Sequence, residues 1–154
     1  MFSTEDHEYM AQAIKLAEAA ALNGEVPIGA VIVLNGEQIA TGQNRMEELH
    51  NATAHAEILA INEAAEHLKN WRLDGTTLYV SLEPCQMCWG AIKNSRISRV
   101  VFAAKDTSNI AGIAKYTCQV ESGLLEKESS KVLQNFFRNV RRIKGDSGNK
   151  TATI

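Results

Sequence analysis

The 154-residue sequence has few cysteines, no long apolar run and a net charge of only −2. Its three cysteines are an odd number, and two of them form a Cys85-x-x-Cys88 pair. Both features predict reduced thiols and metal chemistry rather than a disulfide framework. No stretch approaches the roughly 18 apolar residues of a membrane span. The first six residues include Glu5 and Asp6 and lack the basic and then apolar pattern of a signal peptide. We therefore expect a cytoplasmic protein without a membrane association.

Length and composition predict a single domain over residues 1–154, since 45% apolar residues are enough for a core without disulfides. The charge is unevenly distributed: residues 127–150 carry +5 and the remainder −7. The basic residues of that segment are Lys127, Lys131, Arg138, Arg141, Arg142, Lys144 and Lys150. Such a basic face steers a polyanion, but a solvated helix face followed by a polar tail gives the same pattern. Both interpretations stay open.

Hydrophobic periodicity predicts helices alternating with strands. The helices are expected at residues 5–23, 54–68, 85–95 and 124–143, and the strands at 28–34, 37–40, 77–82, 99–104 and 118–121. Asn35-Gly36 lies between the first two strands and predicts a tight hairpin turn. Residues 145–154 are expected to form a flexible polar tail. The pattern predicts an α/β protein with a central mixed sheet of about five strands and helices on both faces.

The most informative motifs are His55-Ala56-Glu57 and, about thirty residues later, Pro84-Cys85-Gln86-Met87-Cys88. One imidazole and two thiolates make a three-ligand zinc site whose fourth position stays available for water, which is the catalytic pattern. Glu57 is expected to reach that water without occupying the metal and to act as general acid and base. Cys85 and Cys88 share one face at a helix start, where the helix N-terminus lowers thiol pKa values. Pro84 suits that first turn because its missing N–H would be unpaired there anyway.

The motif has two other interpretations. The Cys85-x-x-Cys88 pair alone resembles the redox pair of thioredoxin-like domains. A structural zinc site would need a fourth donor, for which Cys118, His50 and His67 are the candidates, although none has a usual ligand spacing. The His-x-Glu motif favours the catalytic site over both.

With these motifs, the chain resembles the bacterial tRNA adenosine deaminases, within the wider cytidine-deaminase-like group of zinc deaminases. The resemblance covers residues 8–142. The matching stretches are 25–31, Asn44, 53–58, 70–73, 77–85, 90–92, 95–97, 99–102, Asp106 and 136–138. It implies a three-layer α/β/α fold, one Zn²⁺ per subunit, and hydrolysis of the wobble adenosine of tRNA to inosine with release of ammonia. It also implies a homodimer, with the tRNA anticodon arm lying across the subunit boundary.

The resemblance assigns further residues to the target nucleotide. Asn44 is expected to bond the target sugar or base. The backbone around Ile28, Gly29 and Ala56 is expected to line the base pocket, together with Pro84 beside the metal ligands.

Two more residues are assigned in the same way, and two features depart from the family pattern. Phe137 is expected to pack by the flipped nucleotide, and Asp106 to contact a neighbouring sugar. The segment 107–117 is shorter and less charged than in the family, and Trp89 replaces a residue that is usually small. Trp89 is expected to narrow the pocket or to fill an interface.

These departures, together with the net acidity, support an alternative substrate, a free nucleobase or nucleoside of the guanine or cytosine class. A third hypothesis, from a different class of protein, is an inactive scaffold or a zinc-stabilised binding module. That hypothesis requires Glu57 to be present beside the metal ligands without a catalytic role.

Overall fold

The computed structural model describes residues 1–108 and 118–146. Most of the segment 107–117 and of the predicted tail lies outside the described residues. The elements are α1 (Thr4–Leu22), β1 (Gly29–Leu34), β2 (Glu37–Gln43), α2 (Met46–Leu49), α3 (Ala56–Leu68), β3 (Thr76–Leu82), α4 (Gln86–Ser95), β4 (Arg99–Ala104), β5 (Gln119–Ser122) and α5 (Glu126–Asp146). Within these ranges, no helix is both long and apolar enough to cross a bilayer.

The predicted fold class is confirmed. One five-stranded sheet has the order β2-β1-β3-β4-β5, with β1 antiparallel to β2 and β3, and β4 parallel to β3 and β5. Helices α1 and α5 pack on one face and α3 and α4 on the other, so the domain has three layers. The apolar side chains of each face form a separate core.

Local sequence signals explain the first elements. Ser3 and Asp6 form a reciprocal capping box that starts α1. Asn35 and Gly36 both have positive φ, 50° and 75°, as the tight hairpin between β1 and β2 requires. This hairpin brings the end of β2 next to the start of β1, which is the end of the sheet where α3 also begins.

Several boundaries differ from the sequence-based prediction. β2 continues to Gln43 instead of ending at residue 40, and the short helix α2 was not predicted. α5 runs to Asp146, so the first two residues of the predicted tail are helical. Local sequence signals do not predict α2, because its cap is Glu25, which lies more than twenty residues earlier.

A buried ion pair joins α1 to the sheet beneath it. The Asp6 carboxylate accepts hydrogen bonds from Nη1 of Arg99 at 2.8 Å and from the Tyr79 hydroxyl at 2.6 Å. The Arg99 guanidinium holds the pKa of Asp6 well below its usual range. Nε of Arg99 also donates to Glu121 at 2.8 Å, which ties β5 into the same network.

Replacing Asp6 by Asn is expected to lower the free energy of unfolding by about 2–3 kcal/mol at pH 7, because the Arg99 charge stays partly buried without one of its partners. Since the folded-state pKa of Asp6 lies below its ordinary value of 3.8, this stabilisation is complete well above that pH, starts to decline below it and is lost only as the pH falls through the folded-state value. Urea unfolding of both proteins should therefore show a constant difference from pH 7 to about pH 5 and a smaller difference at about pH 3. Asp74→Asn, at an exposed pair with Arg72, is the control and should cost less than about 1 kcal/mol. A difference for Asp6→Asn that is independent of pH would contradict this account.

Candidate metal centre

Three side chains with metal-binding donor atoms meet beyond the carboxyl end of β3. Nδ1 of His55 lies 3.6 Å from Sγ of Cys85 and 3.5 Å from Sγ of Cys88. The three donor atoms all lie within 4.8 Å of one another, and residues 1–108 and 118–146 contain no other such group. The residues predicted as ligands are therefore brought together in one cluster.

These separations suit a tetrahedral zinc ion. With Zn–S bonds of about 2.3 Å and Zn–N bonds of about 2.0–2.1 Å, tetrahedral angles place nitrogen and sulfur donors about 3.6 Å apart. The observed distances from His55 to the two cysteines agree with that value. Three protein donors also leave one position for water or substrate, as in catalytic sites. The donor set therefore fits zinc.

Two helix starts supply the donors. His55 is the N-cap residue of α3 and Cys85 that of α4, and both have extended backbone conformations. Their carbonyl groups accept the first helical hydrogen bonds, from the N–H of Leu59 at 3.0 Å and of Trp89 at 2.9 Å. Neither residue uses its side chain as a cap. The imidazole and the thiol therefore remain available as ligands.

The electrostatics of the cluster differ from the sequence-based expectation. Burial, and then the charges of Glu57 and Cys85, raise the pKa of the Cys88 thiol. This direction is opposite to the lowering of the thiol pKa that was expected at a helix N-terminus. Burial also lowers the pKa of His55, which keeps its imidazole neutral and able to bind a metal. A coordinating cation would deprotonate such a thiol outright.

Glu57 lies beside the cluster in the first turn of α3. It is 2% exposed, and this burial raises its pKa. Its carboxyl group is in hydrogen-bonding contact with Cys88. Its Oε1 atom is buried and has no hydrogen-bond partner among the described residues. A buried polar atom of this kind is costly in a folded protein, and it indicates a place where water or substrate completes the site.

Asn44 connects the start of β1 to the start of α3. Its backbone N–H donates to the Ile28 carbonyl at 3.1 Å, and its Oδ1 accepts the N–H of Ala56 at 2.8 Å. Its side-chain NH₂ group can therefore donate to a substrate, whereas the N–H of Ala56 is already used. The substrate contacts of Asn44, Ile28 and Ala56 stay predictions.

Gly29 has a packing role on the other face of the sheet. A Cβ at this position would lie 1.9 Å from the carbonyl oxygen of Ala13 in α1, so only glycine permits this approach. Its N–H donates to Oγ of Ser81 at 3.0 Å. The predicted contact of Gly29 with the substrate base stays a prediction beside this structural role.

The remaining predicted substrate residues lie around the metal loop and on α5. Pro84 is buried between β3 and the ligands of α4. Glu83 accepts the N–H of Asp106 at 3.0 Å, while Asp106 itself accepts the N–H of Ser108 at 2.9 Å. Asp106 is therefore partly engaged in its own turn. Phe137 is half-buried on α5. None of these observations tests the substrate contacts.

Sequence reasoning missed two residues that shape this region. Glu25 is buried, and its carboxylate accepts the N–H groups of Glu47 at 2.9 Å and Glu48 at 3.0 Å, which caps α2. Gly42, at the end of β2, lies directly against the first turn of α3. Asn44 follows directly after β2, two residues beyond Gly42, but this spacing is informative only when the helix that packs there is known.

A structural zinc site would require a fourth protein donor. Cys118 is half-buried and packs against the core on the α3 side, outside the ligand cluster, and His50 and His67 are exposed. In the described part of the chain, none of these residues joins the cluster. The redox alternative is also weakened, because the His55 imidazole lies next to both sulfurs of the Cys pair.

The two tryptophans have different environments. Trp89 is 4% exposed and belongs to the core beneath α3 and α4. Trp89 is therefore covered by its own chain, and the expectation that it fills an interface is wrong. Trp71 is 61% exposed, with the Arg72 guanidinium 5.6 Å from the centre of its ring.

Comparisons with known proteins agree with this fold and site. The family of MafB19-like deaminases matches residues 4–141. The tRNA-specific adenosine deaminase of Bacillus subtilis strain 168 is 47% identical over 151 residues, covering 92% of this chain and 94% of that protein. A structure from work on A-to-I editing by tRNA:A34 deaminases at the wobble position of transfer RNA matches with a TM-score of 0.78 and 43% identity, covering 82% of this chain and 99% of that one. A guanine deaminase from Nitrosomonas europaea matches with a TM-score of 0.78 at 25% identity, covering 88% and 85% of the two chains.

A three-layer domain with one histidine, two cysteines and a buried glutamate at this place defines a hydrolytic deaminase of nucleobase amines. The guanine deaminase shares this architecture at much lower identity. The chain belongs to the family of tRNA-specific adenosine deaminases.

Proposed function

We propose that this protein is a zinc-dependent tRNA adenosine deaminase, which converts the wobble adenosine of tRNA to inosine and releases ammonia. One observation carries the proposal: the cluster of His55, Cys85 and Cys88 beside the orphaned oxygen of Glu57 lies in a chain that matches tRNA-specific adenosine deaminases over nearly its whole length. The single domain of residues 1–154 is proposed to act as a homodimer in the cytoplasm, with the anticodon arm as its partner.

The metal is proposed to be one Zn²⁺ per chain, held by His55, Cys85 and Cys88. Bound zinc supplies Lewis-acid activation of water, which lowers the pKa of water towards neutrality. Burial of His55 favours the neutral imidazole that binds a metal, and the proximity of the two sulfurs to it supports the same ligand set.

Glu57 is proposed to carry the protons of the reaction. In hydrolytic deamination, a water oxygen replaces the exocyclic amine, the ring nitrogen gains a proton, and the leaving amine departs as ammonia. Each transfer needs a group that accepts a proton from water and returns it to the base. The unpartnered Oε1 of Glu57 is available for both steps, and its burial excludes competing bulk water.

Asn44 is proposed to orient the target nucleoside through its side-chain NH₂ group, because its oxygen is fixed by Ala56. Ile28, Gly29, Ala56 and Pro84 are proposed to line the base pocket. These assignments follow the family resemblance.

Two residues are proposed to act outside the base pocket. Phe137 is proposed to pack beside the flipped nucleotide, and Asp106 to contact a neighbouring sugar. Both lie in the described part of the chain but away from the ligand cluster in sequence, so they depend on the fold to reach the substrate.

The deciding experiment supplies purified protein with a tRNA anticodon stem-loop, adenosine, guanine and cytosine separately, and measures ammonia release and the mass of each product. Rapid conversion of the stem-loop adenosine to inosine, with little turnover of the free compounds, is expected. Efficient turnover of guanine alone would favour the guanine-deaminase alternative, which the structural similarity to the Nitrosomonas enzyme makes a fair competitor. No ammonia from any substrate would favour the inactive-scaffold hypothesis.

Basic residues near the end of α5 provide a separate test of an RNA substrate. Arg141 and Arg142 are exposed on this helix, and replacing both by Gln should weaken stem-loop binding. The slope of log K against log salt should fall by about 1–2, because fewer counterions are released. The turnover rate with saturating RNA should change little.

The matched control removes two charges just beyond the C-terminal end of α3. Lys69→Gln with Arg72→Gln makes the same change of charge at exposed positions, whereas the ligands lie at the start of that helix. This control should leave the salt slope unchanged. Equal salt slopes for both double variants and the parent protein would argue against RNA contacts on α5.

A further inference from the structure

Ala56 occupies a central place in the site, because it lies between the ligand His55 and the proton carrier Glu57. Its backbone is in direct contact with the end of β2. A Cβ at Gly42 would lie 2.1 Å from the Ala56 carbonyl oxygen and 2.9 Å from the N–H nitrogen of Ala60. Real Cβ atoms do not approach backbone so closely, so the first turn of α3 can lie at this depth only against a glycine.

The other backbone polar group of Ala56 is held by the same strand end. Its N–H donates to Oδ1 of Asn44 at 2.8 Å, and both residues are buried. Asn44 is itself fixed, because its N–H donates to the Ile28 carbonyl at 3.1 Å. A helix leaves its first N–H groups without internal partners, so Asn44 satisfies a group of α3 that would otherwise be buried and unpaired.

We propose that Gly42 and Asn44 are positioning residues for the metal centre and together form a backbone clamp on Ala56. Gly42 sets how deeply the carbonyl side of Ala56 approaches the sheet, and Asn44 fixes its amide side. Because His55 and Glu57 are the chain neighbours of Ala56, the clamp holds the imidazole and the carboxylate in one fixed relation. This role for Asn44 is separate from any contact of its NH₂ group with substrate.

The clamp should be visible in metal affinity. Residues that orient metal ligands without touching the metal typically change affinity by about 10- to 100-fold when they are replaced. Gly42→Ala forces α3 away from β2 and so displaces His55 relative to the two cysteines. We expect its zinc Kd to rise by about 10- to 100-fold, measured by titrating the zinc-loaded protein with a chromophoric chelator.

Gly75→Ala is the matched control for strain. Gly75 has a φ of +79°, which alanine rarely adopts, and it lies just before the amino end of β3, whereas the metal-binding donors lie beyond the carboxyl end of that strand. Both variants should lose thermal stability, and only Gly42→Ala should lose zinc affinity. Equal losses of affinity would show that general destabilisation, rather than the clamp, weakens the site.

Asn44 gives a second test that does not depend on whether Gly42→Ala folds. Asn44→Asp keeps an oxygen acceptor for the Ala56 N–H, whereas Asn44→Leu removes it at similar volume. The zinc Kd should stay within a few-fold in the first variant and rise about 10-fold or more in the second. An unchanged Kd in Asn44→Leu would overturn the proposal.

The inference rests on the zinc-binding part of the proposed function, and the two can fail separately. If the parent protein binds no zinc, the proposed function fails. If the parent binds zinc tightly and Asn44→Leu binds it equally well, only the clamp fails. Zinc affinity is independent of which nucleobase is the substrate.

Discussion

Replacing Glu57 by Gln is expected to lower kcat on the tRNA stem-loop by about 10⁴-fold, at the upper end of the range for general acid–base catalysis. Gln has nearly the same shape but cannot accept a proton from water at neutral pH. The effect is large because Glu57 is proposed to take part in more than one proton transfer. The unpartnered Oε1 in an otherwise buried side chain is the structural reason to expect this role.

The same variant should keep its metal and its fold, since Glu57 is not one of the three clustered donors. Single-turnover ammonia release gives the rate, elemental analysis gives zinc per chain, and thermal unfolding reports stability. Glu63→Gln makes the same chemical change at an exposed position of α3 and should leave all three quantities unchanged. Loss of zinc from Glu57→Gln would show that Glu57 is a ligand, and near-normal turnover would remove it from the chemistry.

The ligand cluster could be predicted from sequence because its residues occur in two short local motifs. His55 and Glu57 open one helix and Cys85 and Cys88 another, and each motif has a fixed internal geometry. Only one long-range assumption was needed, that the two helix starts meet. That assumption is chemically reasonable because one zinc ion needs donors from both motifs. The structure places the three donor atoms within 4.8 Å of one another.

The elements outside the motifs were predictable where the signal was local. The Asn35-Gly36 turn specifies its own hairpin. Helix α2 could not be predicted in this way, because its N–H groups are capped by Glu25, more than twenty residues earlier. The same holds for Asp6 and Arg99, whose pairing depends on the packing of α1 on the sheet.

Contacts between whole elements were the least predictable. Nothing in the sequence around Gly42 indicates that α3 will press against it, so its importance appears only in the structure. Trp89 was likewise ambiguous, since burial of a large side chain within the chain or at an interface has the same local pattern. Both depend on which surfaces meet, which a periodicity argument does not specify.

Removing a proposed metal ligand should have an effect as large as removing the proposed proton carrier, but on zinc content as well as on turnover. Cys88→Ala is expected to abolish stoichiometric zinc retention after dialysis and all measurable turnover, because two remaining donors no longer make the three-ligand site. Cys88 is fully buried beside His55, and the described residues offer no other donor of this cluster to take its place. The stabilisation that zinc gives to the folded state, RT ln(1 + [L]/Kd), should fall with the loss of affinity.

Cys118→Ala is the control that separates this account from a site with a fourth cysteine ligand. Cys118 packs against the core outside the cluster, and burial raises the pKa of its thiol, so it has the character of a small apolar residue. Its replacement should cost about 1 kcal/mol or less of stability and leave one zinc per chain with normal turnover. Elemental analysis and chelator titration on both variants give the answer directly. Zinc retained by Cys88→Ala but lost from Cys118→Ala would replace the ligand set proposed here, whereas the opposite result would leave His55, Cys85 and Cys88 as the complete protein contribution to the metal.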